Sequence, residues 1–111
     1  MDFQNAPLLV APIGDGFKVT FDGPIHTNVA WIEREMDKII AAKPKRVELD
    51  LSRTTYISSL GLGVLVSLHN RINASGGKVY VVSIKKRTVG ILKMAYLDKL
   101  LTITPDAVLP D

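Results

Sequence analysis

An α/β fold is what this sequence predicts: one domain with a mixed, mainly parallel sheet, opened by an antiparallel hairpin and covered by packed helices. Three observations predict it. Two short apolar segments flank Gly14-Asp15-Gly16; after them, apolar runs of strand length alternate with stretches whose apolar residues recur at helical spacing; and 111 residues suffice for one core but not for two. The expected unit is a single domain over residues 1–111, with a core over about 6–104 and a short C-terminal tail.

Leu8 to Ile13 and Lys18 to Phe21 read as the hairpin strands, because glycines between them supply the positive φ of a tight turn. After Gly23-Pro24, the polar pair Thr27-Asn28 is placed to cap a helix carrying Val29, Ile32, Met36, Ile39 and Ile40 on one stripe. That helix stops near Lys43-Pro44, since proline disfavours helical backbone in the residue before it. Arg46 to Leu51 is a central strand, ended by the polar run Ser52 to Thr55. From Leu60 to Ala74, Leu60, Leu62, Val64, Leu65, Val66, Leu68 and Ile72 make a helix apolar on most faces, the expected central helix, and Ser75-Gly76-Gly77 stops it. Val79 to Val82 is a further buried strand, Thr88 to Ala95 a shorter helix, and Leu100 to Thr104 the last strand.

Between the central strand and the central helix stand two adjacent hydroxyls, Ser58 and Ser59. The plain reading is that both cap a helix. The functional reading is a modification site, because a phosphate there meets the unpaired N–H groups and the positive dipole end of the helix. Asp50-Leu51-Ser52-Arg53-Thr54-Thr55-Tyr56-Ile57-Ser58-Ser59-Leu60-Gly61-Leu62-Gly63-Val64-Leu65 resembles the signature of STAS domains, bacterial anti-sigma factor antagonists in particular, and the order of elements agrees over nearly the whole chain. The resemblance implies a STAS-like fold and a serine just after the loop that is phosphorylated by an anti-sigma factor kinase and dephosphorylated by a serine phosphatase. Ser59 holds that position. The family often has Asp where this chain has Ser58, and Ser, Thr or Ala where it has Leu60, so Ser58 stands as the alternative acceptor.

On this reading Arg53, Tyr56, Ser58, Ser59, Leu60 and Gly61 form the partner-binding segment. Lys85-Lys86-Arg87 should emerge at the same carboxyl edge of a parallel sheet and steer an acidic kinase surface; otherwise it is a solvated loop. Gly61 and Gly63, each costing a helix about 1 kcal/mol relative to alanine, suggest close approach of a neighbour, from a partner or from within the domain. Trp31 lies on the flank of the first helix, as a binding anchor or as packing under a loop.

The expected function is therefore that of an anti-sigma factor antagonist controlled by a phosphate cycle; the alternative is a constitutive STAS subunit of a transporter or signalling assembly. Enzyme chemistry is not expected. Only His26 and His69 are available as bases, and His69 lies ten residues beyond Ser59, about 15 Å along one helix. With no cysteine, no ligand-spaced His and carboxylate cluster and no Gly-Lys-Ser/Thr phosphate loop, neither a metal nor a cofactor is expected. The formal charge of +3 is spread along the chain, so direct nucleic-acid binding is not expected. No apolar run reaches the roughly 20 residues of a membrane helix, and the expected location is the cytoplasm. A weak homodimer is left open.

Overall fold

The structure is a computed structural model that describes residues 8–27 and 29–111. Its hairpin pairs β1 (Leu8–Ile13) antiparallel with β2 (Gly16–Asp22), turning at Gly14, whose φ of 49° explains the glycine. Then follow α1 (Val29–Ala41), β3 (Arg46–Arg53), α2 (Ser59–Ala74), β4 (Lys78–Lys85), α3 (Lys86–Met94), the single turn α4 (Leu97–Leu100), β5 (Thr102–Ile103) and β6 (Val108–Leu109). The sheet runs β1-β2-β3-β4-β5, parallel from β2 onward, with β5 and then β6 sharing the outer edge of β4.

Because the parallel strands are laid down in sequence order, right-handed crossovers carry the helices over the same face. The strands record this. Val47, Leu49 and Leu51 of β3 are buried while the residues between them are partly exposed, and a register shift in β4 turns Ile84 inward after Val79 and Val81. On the helical side, Ile32, Met36 and Ile39 of α1 and Val64, Leu65, Leu68 and Ile72 of α2 close the core. On the other face Arg46 bonds Glu48 at 2.7 Å and stacks 3.9 Å above the Tyr80 ring.

Several boundaries differ from the sequence expectation. Asn28 of the expected α1 cap lies outside the described residues. Strand β3 continues to Arg53, which pairs with Asp22 across a register shift. Strand β4 continues to Lys85 and passes directly into α3, so Lys85-Lys86-Arg87 is not a loop: Lys86 and Arg87 form the first helical turn. The strand expected from Leu100 begins only at Thr102, because Leu97 and Leu101, four residues apart, are both buried across a turn of helix. An apolar pair such as Leu100-Leu101 does not by itself distinguish the two periods. Nor is Pro105 onward a loose tail: Ala107 is fully buried, its carbonyl accepts a hydrogen bond from Ile84 N at 2.9 Å, and β6 covers the end of β4.

Candidate functional site

Residues 54–58 leave the carboxyl edge of β3 and are pinned before α2 begins. Ile25 N donates to the Tyr56 carbonyl at 2.8 Å and Ser58 N to the Ile25 carbonyl at 2.9 Å, forming an isolated parallel bridge between Ile25 and Ile57. Both isoleucines are buried. Below them, Thr88 Oγ1 of α3 donates to the Thr54 carbonyl at 3.2 Å. The segment therefore enters the helix in a set position and direction.

The two serines occupy different environments. Ser58 is the N-cap, extended at φ −77° and ψ 172°; its Oγ accepts from Gly61 N at 3.1 Å and its carbonyl from Leu62 N at 2.8 Å. It is half-buried. Ser59, the first helical residue, is exposed, and among the described residues its hydroxyl has no hydrogen-bond partner. The capping leaves the Ser59 and Leu60 N–H groups without an acceptor among the described residues, at a helix end with no acidic residue in its first turn.

Gly61 is explained within the domain. A Cβ there would lie 2.6 Å from the Ile25 carbonyl oxygen and 2.8 Å from its Cγ2, so only glycine lets α2 sit against the Ile25–Ile57 bridge. Gly63 has no atom within 4 Å of such a Cβ and is exposed, so the domain itself gives no packing reason for it.

Around Ser59 the surface is apolar. Leu60, read from the sequence both as an apolar position of its helix and as part of the partner-binding segment, is 67% exposed. Tyr56, Leu62, Ile91, Met94 and Ala95 line a groove of about 380 Å³ with Ser59 at its edge. Met94 is 86% exposed, and beside it Tyr96, held left-handed at φ 61°, is 76% exposed. Sequence reasoning counted Leu62 among the apolar positions of its helix and assigned no site role to Ile91, Met94 or Tyr96. Met94 and Tyr96 flank the end of a short helix, a signal readable only once the strand beyond it is placed.

The remaining predicted residues gather elsewhere. Arg53, Lys85 and Arg87 share a second recess at the start of α3, whereas the Ser59 groove meets the end of that helix. Arg53 forms an exposed ion pair with Asp22 at 3.3 Å, and Lys86 is exposed. Trp31 is partly buried against the core. His69 lies on α2, its Nδ1 buried and without a hydrogen-bond partner, too far along the helix to reach Ser59. Among the described residues no three His, Asp or Glu side chains gather as metal ligands, and no helix is long and apolar enough to cross a membrane.

Solved structures share this architecture. The chain is similar to an anti-sigma factor antagonist from Mycobacterium paratuberculosis (TM-score 0.78, 21% identity, 91% of this chain and 86% of that one). It is also similar to the anti-sigma factor antagonist SpoIIAA in its unphosphorylated form (TM-score 0.72, 11% identity, 90% of each chain). The Bacillus cell fate determinant SpoIIAA in its phosphorylated form matches with a TM-score of 0.69 at 12% identity, over 90% of this chain and 93% of that one. At these identities the likeness is one of fold. The STAS domain model, however, matches residues 8–107, from the first strand to the buried Ala107. The chain belongs to the STAS domain family.

Proposed function

We propose that the protein is an anti-sigma factor antagonist switched by phosphorylation of Ser59. Unmodified, it binds an anti-sigma factor kinase and thereby frees a sigma factor; phosphorylated, it releases the kinase, and a serine phosphatase resets it. The observation that carries the reading is the division of labour between the serines: Ser58 is occupied as the helix cap, while the Ser59 hydroxyl is exposed beside an apolar groove. Ser58 is the less suited acceptor because its Oγ is already committed to Gly61 N.

The mechanism is electrostatic. Phosphoserine adds about −1.5 to −2 charges. The N-terminal end of α2 tolerates that charge, so the domain needs no refolding. A partner covering Leu60, Tyr56 and Met94 must instead desolvate it, and about 2.7 kcal/mol of penalty weakens binding a hundredfold. Arg53 and Lys85-Lys86-Arg87 act at longer range, raising the encounter rate with an acidic partner. Gly61 acts through Ser58 and Ser59 by letting α2 dock. The protein has no catalytic role of its own in this scheme and works in the cytoplasm, without contacting nucleic acid.

The test is incubation with ATP and the cognate kinase, followed by intact mass and peptide mapping of wild type, Ser58→Ala and Ser59→Ala. One phosphate is expected in wild type and Ser58→Ala, and none in Ser59→Ala, with weaker kinase binding by the modified protein. A phosphate that disappears only in Ser58→Ala overturns the assignment of the acceptor. No phosphate from an active kinase favours a constitutive subunit.

A further inference from the structure

At the opposite end of α3 from the Ser59 groove, the recess shared by Arg53, Thr54, Lys85, Arg87 and Thr88 has a volume of about 200 Å³. A carboxylate already lies in it. Asp111 Oδ1 accepts a hydrogen bond from Arg87 N at 3.0 Å and lies 3.6 Å from Arg87 Nε. Arg87 is the second residue of α3, so the carboxylate meets the unpaired N–H groups at the positive end of the helix. The helix supplies no anion of its own there: its first turn has no acidic residue, and the N-cap Lys85 makes no side-chain cap.

A separate observation comes from Thr54, which lines the same recess. It is 2% exposed, yet its Oγ1 has no hydrogen-bond partner among the described residues, leaving a desolvated donor beside a group of cations. Asp22 pairs with Arg53 from the β2 side and Asp111 with Arg87, so among the described residues Lys85 is the cation of the recess without a carboxylate partner, and displacing Asp111 would free Arg87 as well.

We propose that this recess binds a small oxyanion of the phosphate class, and that Asp111 is its built-in competitor. The carboxylate marks where the ligand's charge sits but offers only two oxygens; a tetrahedral oxyanion has acceptors for the Arg87 N–H and guanidinium, the Lys85 ammonium and the Thr54 hydroxyl. The ligand is either free phosphate or the terminal phosphate of a small monoester. This site does not depend on Ser59 being phosphorylated, so the two proposals fail separately.

The experiment is an amide NMR titration of the full chain, without any kinase, using sodium phosphate and sodium chloride at matched ionic strength. Saturable shifts at Lys86, Arg87 and Thr88 are expected with phosphate only. Affinity should rise about tenfold in Asp111→Asn, which removes the competing charge but keeps an acceptor, and fall about tenfold in Arg87→Gln. A parallel titration with methyl phosphate separates the sources: equal or tighter binding identifies a phosphomonoester, and binding of inorganic phosphate alone identifies the free ion. Shifts no larger than those from chloride, or an affinity unchanged in both variants, overturn the site.

Discussion

Five residues show how local geometry divides structural from functional roles. Ser58→Ala removes the bond to Gly61 N and should cost about 1 kcal/mol, read as a lower urea midpoint with an unchanged m-value; Ser59→Ala should leave the midpoint nearly unmoved. The glycines of α2 should respond with opposite signs. Gly61→Ala drives a methyl toward the Ile25 carbonyl and should destabilise by about 1–3 kcal/mol, whereas Gly63→Ala meets open space and should stabilise by up to about 1 kcal/mol. Thermal unfolding of the pair checks this, and a stabilised Gly61→Ala would refute the close approach. Tyr96 separates stability from binding. Its left-handed backbone makes Tyr96→Gly neutral or stabilising by about 1 kcal/mol, while loss of the exposed ring should weaken binding to the proposed kinase in a calorimetric titration.

At the scale of elements, the C-terminal segment decides how β4 ends. Residues 105–109 return to β4 through β6, bury Ala107 and provide the acceptor for Ile84 N. Removing residues 105–111 should therefore lower stability by about 2 kcal/mol or more in urea unfolding and speed hydrogen exchange at Ile84. A loose tail would produce neither effect. Helix α3 is the other deciding element, because its two ends serve different surfaces: Arg87 and Thr88 line the basic recess, and Ile91 and Met94 wall the Ser59 groove.

Across the whole molecule, the mild basic charge bears on encounter rather than on fold. Reversing Lys85, Lys86 and Arg87 to Glu carries the formal charge from +3 past neutrality and should lower the association rate with the proposed kinase about tenfold, with little change in dissociation. Stopped-flow binding at two salt concentrations checks this: the difference between the variants should shrink as salt rises. An effect confined to dissociation would place those residues inside the contact instead.

The sequence by itself determined the α/β class, the hairpin, α1, α2 and the parallel core strands, because burial on one face imposes period-2 and period-3.6 patterns that are visible along the chain. It also marked the Ser58-Ser59 turn, since an N-cap favours a short side chain with an acceptor oxygen just before the helix. Tertiary structure alone decided which serine caps and which is exposed, that Leu60 faces solvent, that Gly61 answers to Ile25, and that Arg53 joins Lys85 and Arg87 rather than Ser59. The last two are set by residues distant along the chain. Ile25 lies more than thirty positions before Gly61, and Asp111 lies more than twenty beyond Arg87, so no local pattern encodes what they meet.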